Sequence, residues 1–210
     1  MKPIAIIDYG MGNLLSVQKA LDALGFPAII TNKTEEVIKA PGVILPGVGA
    51  FKDAMAALKA TGLQEAIKEV CQSGKPFLGI CLGLQLLFEV SEEGGWVPGL
   101  GLLPGEVRRL PAGIKVPHMG WNQVKYPRPS ILFKGIPEGS FFYFVHSYHV
   151  EPRNLEVIVA ETEYGGQIVA AIEQGNLFGV QFHPEKSSTL GLKLLANFGR
   201  RVYGDSFSSH

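Results

Sequence analysis

The stretch "KPFLGICLGLQLLFE", residues 75–89, sets Cys81 between Gly79 and Gly83, where a pattern suited to a buried strand gives way to one suited to an amphipathic helix. A strand that turns sharply into a helix presents the residue at the turn, and flanking glycines permit the close backbone approach this needs. A thiol there stands at a helix N-terminus, where unpaired backbone N–H groups and the helix dipole favour thiolate over thiol and can donate to an oxyanion. The chemistry this suits is covalent attack by a thiolate. A lone cysteine is otherwise most often a buried structural residue, which is the reading that fits Cys71 in "KEVCQSG".

A thiol nucleophile needs a base, and five histidines are available. His183 closes the apolar run "LFGVQF" and is followed by Pro184 and Glu185. An imidazole at a strand's C-terminal end can reach a neighbouring strand's elbow. Pro184 stiffens the turn and biases the residue before it toward extended geometry. Glu185 can accept from the imidazole and hold its tautomer. His118 in "VPHMGWN" and the pair His146 and His149 in "FVHSYHV" are weaker candidates, and His210 is terminal. Backbone donors for an acyl-transfer site are offered by "LPGVGAF" (45–51), although such a segment is most often just a strand-end turn. "DYGMGNLL" lacks the third glycine of a dinucleotide fingerprint, and "PGVGAFKD" lacks the Gly-Lys-Ser/Thr of a Walker loop. His and Cys are scattered without metal-ligand spacing.

These residues must be carried by a scaffold, and short branched-aliphatic runs do alternate with segments of helical period. "IAIID" (4–8) predicts a strand, and "NLLSVQKALDALG" (13–25) predicts a helix with Leu14, Leu15, Val17, Leu21 and Leu24 near one face. "PAIIT" (27–31), "GVILPG" (42–47) and "PFLGI" (76–80) predict buried strands, followed by helices over 34–39, over 54–70 with a break at Gly62, and over 82–90. That order implies a parallel sheet covered on both faces. From residue 94 onward the runs become strand-like, in "SFFYFVHSYHV", "EVIVAE", "QIVAAIE" and "LFGVQFH", which predicts a mostly β extension of the same sheet. A last helix lies in "TLGLKLLANFGRRVYG", and a polar tail over 204–210 is expected to fray. The expected fold class is α/β: a single domain over 1–203, with a mostly parallel central sheet, helices on both faces and a mixed, antiparallel β extension.

The 210 residues, 46% hydrophobic and 18% charged, suffice for one sizeable core. Nineteen basic residues balance nineteen acidic ones, which argues against nucleic acid, an anionic membrane or another polyanion as partner. No apolar stretch reaches membrane-spanning length, the N-terminus is not signal-like, and two cysteines without CxxC spacing suit a reducing cytoplasm.

Together, "DYGMGNLLSV", "LPGVGAF", "GICLGLQLLF", "HMGWN", "FVHSYHV" and "GVQFHPEKS" occur in the order and spacing of the triad (class I) glutamine amidotransferases, which the chain resembles from Ile4 to Val202. "HMGWN" and "DYGMGN" draw the likeness toward the glutaminase subunits that serve a cyclase in histidine biosynthesis. The resemblance implies a flavodoxin-like fold and a Cys-His-Glu triad. Cys81 would attack the side-chain amide carbon of glutamine, His183 would protonate the departing ammonia, and Glu185 would orient His183. A thioester on Cys81 would then hydrolyse to glutamate. An oxyanion hole is implied from the Leu82 N–H and an amide of Gly47-Val48, a peptide flip being feasible at the glycines. Gly49, Gln85, Glu93, Ser147 and Tyr148 would line the glutamine pocket, and no metal or organic cofactor is required.

The same resemblance implies a partner. Met11, Asn13, Trp121, Tyr143 and Lys186 match positions where the family meets a (β/α)8-barrel cyclase subunit that consumes the ammonia, in a 1:1 heterodimer. From the residues alone, Tyr143 in "SFFYFVHSY" can equally be core. Low activity of the isolated chain, switched on by partner and acceptor substrate, is expected. The rival readings are a glutaminase of another synthase or a Cys-His hydrolase such as a peptidase, and an α/β binding subunit. The intact Cys81, His183 and Glu185 argue against the last.

Overall fold

The computed structural model describes residues 1–204; positions 205–210 of the tail expected to fray, with His210, lie outside the described residues. The chain opens with β1 (Ile4–Ile7), α1 (Leu14–Ala23), β2 (Ala28–Thr31), α2 (Thr34–Lys39), β3 (Val43–Gly47), α3 (Phe51–Ala60), α4 (Leu63–Gln72) and β4 (Phe77–Cys81). One helical turn, α5 (Leu82–Gln85), leads into β5 (Phe88–Ser91), β6 (Val97–Pro98), β7 (Leu103–Arg109), β8 (His118–Gln123), β9 (Phe141–His146) and β10 (Tyr148–Pro152). The chain then runs through β11 (Ile158–Glu163), β12 (Gln167–Gln174), β13 (Leu177–Val180) and α6 (Ser188–Tyr203).

The main sheet has the order β11-β12-β13-β4-β3-β1-β2. From β2 to β13 neighbours are parallel, while β12 and β11 add antiparallel at one edge. Strand alternation divides the core into two layers. Ala5, Ile7, Val43 and Leu45 join Met55 and Leu58 of α3 and Ile67 and Val70 of α4 on one side. Ile4, Ile6, Ile44 and Ile80 join Val17 and Leu21 of α1 and Leu194, Leu195 and Phe198 of α6 on the other. Burial on both faces is why these strands read as unbroken apolar runs. No helix among the described residues is long and apolar enough to cross a membrane.

Three expectations need correction. The helix expected over 82–90 lasts one turn, and Phe88–Ser91 is a strand paired with β7 and β6. A short apolar run fits either state, and the available neighbours decide it. The β-rich half is not all one sheet: β10-β7-β5-β6 and β8-β9 form separate sheets, and only β11 to β13 extend the central one. Leu15 is 63% exposed rather than on the apolar face, because α1 meets the sheet through Val17, Ala20 and Leu21.

Candidate active site

β4 lies in the sheet between β3 and β13, both parallel to it, so three strand C-termini converge on one edge. Cys81 ends β4 with φ 55° and ψ −110°. For a residue with a Cβ this is strained, on the order of 1–3 kcal/mol, and it persists only because its surroundings demand it. They do: a Cβ on Gly79 would lie 2.7 Å from the Gly83 carbonyl oxygen, and one on Gly83 would lie 1.8 Å from the Leu45 carbonyl oxygen. The glycines thus let α5 fold back onto the strands. Since α5 is a single turn, the charge-stabilising element is its first N–H groups, which have no carbonyl one turn earlier, rather than a long helix dipole.

His183 follows β13 and heads a short 3-10 turn, Pro184–Lys186. Its Nδ1 lies 2.9 Å from Glu185 Oε1, with side-chain exposures of 2% and 1%. Its Nε2 is buried without a hydrogen-bond partner. Burial opposes charge on this imidazole, but the nearness of Cys81 and Glu185 outweighs it and raises the pKa to about 10. The imidazole thus lies within electrostatic reach of both Cys81 and Glu185. The turn is anchored from β9, where the His183 N–H donates to the Tyr143 carbonyl at 2.9 Å. Ser187 Oγ donates to the His183 carbonyl at 2.7 Å and accepts from the Tyr143 N–H at 3.0 Å.

The thiol opens into a cavity of about 350 Å³ lined by Val48, Gly49, Cys81, Leu82, Gln85, Glu93, Pro117, Val145, His146, Ser147 and Tyr148. This is the size of a small-molecule site. Gly47 is buried beside it as the register partner of Cys81, and Gly49 adopts φ +102°. Burial raises the pKa of Glu93, whose Oε2 accepts from the Phe51 N–H at 3.1 Å. Tyr9 donates to the Pro46 carbonyl at 3.0 Å, and burial together with nearby Cys81 pushes its phenol well above the ordinary range. A larger cavity, about 990 Å³, between Pro129 and Arg201 shares no lining residue with this one and contains neither cysteine nor histidine. Cys71 is half-buried away from the site, and burial raises its thiol to about 12.

His118 and His146 are not free bases. His118 Nδ1 lies 3.0 Å from His146 Nε2, and burial lowers their pKa values to about 4 and about 3. The sequence offered both only as weaker candidate bases and did not show that they pair, and it passed over Ser187 and Gln181. The signal for Gln181 was an amide inside an apolar strand-end run, where it is wholly buried and donates toward Cys81 Sγ at 3.7 Å.

Of the residues matched to a partner surface, Trp121 and Tyr143 are cross-strand neighbours on β8 and β9, with ring centroids 6.1 Å apart. Trp121 is 52% exposed, beside Met119 at 62% and Phe141 at 51%. Lys186 is exposed on the 3-10 turn. Met11 and Asn13 are half-buried in the loop after β1, and a Cβ on Gly49 would lie 4.0 Å from the Met11 sulfur.

The family model of glutamine amidotransferase class-I matches residues 5–202, and the chain belongs to this family. It is 68% identical to the imidazole glycerol phosphate synthase subunit HisH of Moorella thermoacetica, covering 96% of each chain. It is 53% identical to the protein of the same name from Aquifex aeolicus, over 94% of this chain and 96% of that one. Among solved structures, PurLQS from Thermotoga maritima superposes with a TM-score of 0.72 at 22% identity, covering 94% of this chain and 98% of the other. That likeness speaks for the fold.

Proposed function

We propose that this chain is the glutaminase subunit of an imidazole glycerol phosphate synthase, releasing ammonia from L-glutamine and passing it to a cyclase partner in histidine biosynthesis. The observation that carries the reading is the convergence of a strained cysteine elbow with a buried His183–Glu185 pair on the adjoining strand, beside a cavity of amino-acid size. Its relatives named HisH support the partner and the pathway.

In this reading Cys81 gives its thiol proton to His183 as its Sγ attacks the carboxamide carbon of glutamine. The developing oxyanion is received by the Leu82 N–H and an amide of Gly47-Val48. The C–N bond breaks as His183 gives its proton to the nitrogen, and ammonia leaves. A water then loses its proton to His183 and attacks the thioester; the C–S bond breaks, glutamate leaves, and His183 passes the proton to the sulfur to restore the thiol. Glu185 holds the imidazole in the tautomer both steps need. Gly49, Gln85, Glu93, Ser147 and Tyr148 hold the substrate, Glu93 by offering a carboxylate to its ammonium group.

The partner is a (β/α)8-barrel cyclase in a 1:1 heterodimer, docked over Trp121, Tyr143, Met11, Asn13 and Lys186. The location is cytoplasmic, in keeping with a biosynthetic role and two free cysteines. The test is glutamate release by wild type and Cys81→Ser, each with and without the cyclase and its nucleotide substrate. Wild type alone is expected to be nearly silent and to be activated by the partner, with Cys81→Ser silent throughout. Equal rates for the two proteins would overturn the reading.

A further inference from the structure

Two hydrogen-bond networks meet at one backbone oxygen in the cavity wall, that of Tyr148. His146 Nδ1 lies 2.9 Å from it, and Gln85 Nε2 donates to it at 2.9 Å. A carbonyl oxygen only accepts, so both neighbours must present N–H groups to it. This single constraint sets every proton position that follows.

With its proton on Nδ1, neutral His146 has only a lone pair at Nε2, so His118 Nδ1 must be the donor across their 3.0 Å contact. That leaves His118 Nε2 as an acceptor, and Asn122 Nδ2 stands 3.3 Å from it. The Asn122 amide is independently oriented this way. Its Nδ2 donates to the Glu163 carbonyl at 3.0 Å, and its Oδ1 accepts from the Gln123 N–H at 2.8 Å. His118 is held flat between Tyr164 and Phe144, at centroid distances of 3.9 and 4.7 Å. The groups whose charge bears on His146 are His118, His149 and His183.

On the other arm, Gln85 Nε2 also donates to Gln181 Oε1 at 3.1 Å. With its oxygen so occupied, Gln181 turns its NH₂ to Cys81 Sγ at 3.7 Å. Gln85 is 4% exposed and Gln181 is fully buried, so neither amide can exchange this geometry for water. The sulfur also faces His183 and Tyr9, and as a thiol it donates to the Val145 carbonyl at 3.8 Å; the Gln181 donor is the contact that favours thiolate over that bond.

We propose that the Tyr148 carbonyl orients two arms of one hydrogen-bond network: Gln85 and Gln181 place an N–H donor on the Cys81 sulfur, while His146 and His118 tie the pocket strand to β8. Gln181 acts on the nucleophile directly. His118 is a positioning residue, acting through His146 on the strand that lines the cavity. The use made of the β8 arm rests on the glutaminase reading, because β8 is the strand whose exposed Trp121 faces the proposed partner.

The test uses the full chain without glutamine or cyclase. Nitrogen-15 NMR of the imidazoles at neutral pH is expected to find His118 and His146 both in the Nδ1–H tautomer, and an Nε2–H tautomer on either overturns the network. Alkylation of Cys81 by iodoacetamide, read on its own peptide across pH, is expected to shift upward by about one pH unit in Gln181→Met. Gln181→Leu, which removes the donor without placing a charge beside the sulfur, should shift the same way. Unchanged profiles in both overturn the thiol arm, and if neither variant folds the wild-type Gln181 side-chain NH₂ signal decides it, since a signal unmoved when Cys81 is alkylated overturns the contact. In the cyclase complex, His118→Phe keeps the stacked ring and is expected to raise glutamine KM severalfold with the Cys81 alkylation profile unmoved; an unchanged KM overturns the positioning role. Because tautomers and alkylation need no turnover, their failure is separate from failure of the glutaminase assay.

Discussion

Gly47 and Cys81 are register partners at the ends of adjacent parallel strands, so the PGVG segment and the thiol are held together by a main-chain ladder rather than by side-chain packing. The space between them is closed to anything larger. A Cβ on Gly47 would lie 2.4 Å from the Tyr9 hydroxyl and 2.9 Å from Leu82 Cβ. Beyond Gly47 the pairing stops, and Val48 is 41% exposed, which leaves the next peptides free of the ladder that constrains Gly47.

The elbow depends on Gly83. An alanine Cβ there would sit 1.8 Å from the Leu45 carbonyl oxygen, against backbone that cannot swing aside. Gly83→Ala is expected to cost about 3 kcal/mol of stability or more. Urea denaturation should show a lower midpoint with an unchanged m-value.

Glu185 holds His183 through a buried 2.9 Å contact and favours its imidazolium form. Removing that charge lowers the His183 pKa and lets the ring choose its tautomer. Glu185→Gln is expected to reduce glutamine hydrolysis in the cyclase complex about a thousandfold with little change in Tm, by analogy with the loss of an orienting carboxylate in other triads. Histidine NMR should show His183 titrating at lower pH than in wild type.

Acid sensitivity follows from the buried histidines. His118 and His146 have native pKa values of about 4 and about 3, below the unfolded value of 6.5, because burial disfavours their charge. The unfolded chain therefore binds protons that the native state refuses, and stability falls as pH drops below about 6.5. At pH 5 a group with a native pKa near 4 costs about 2 kcal/mol relative to neutral pH. Tm measured from pH 7 to pH 4.5 should decline, and His118→Phe should flatten the slope.

The exposed aromatic on β8 gives a partner test. Trp121 is 52% exposed, so removing its ring leaves the core intact. Trp121→Ala is expected to weaken cyclase binding by roughly 2 kcal/mol, the scale of an interface hot spot. Calorimetric titration should show the loss while the Tm of the isolated chain stays within a degree or two.

Much of this was legible from local chemistry. Glycines on either side of Cys81 announce a turn because only glycine tolerates the approach that α5 makes to the strands, and His-Pro-Glu after an apolar strand places a carboxylate two residues from an imidazole. The alternation of apolar runs and helical periods likewise implies a parallel sheet covered on both faces, since such strands have no polar side to show. What sequence could not decide was which distant strands would meet. Phe88–Ser91 became a strand because β6 and β7 flank it, Leu15 faces outward because α1 settles on Val17 and Leu21, and the strands of the β-rich half are spread over three sheets. Gln181 gained its place beside Cys81 in the same way, across 100 residues of chain. By itself the sequence determined the turn-forming glycines, the core-facing periodicities and the reactive residue types, because each is set by backbone sterics and burial within a few residues. Pairing partners, proton positions and the network behind the thiol came with the fold, because these depend on groups brought into register by packing elsewhere in the chain.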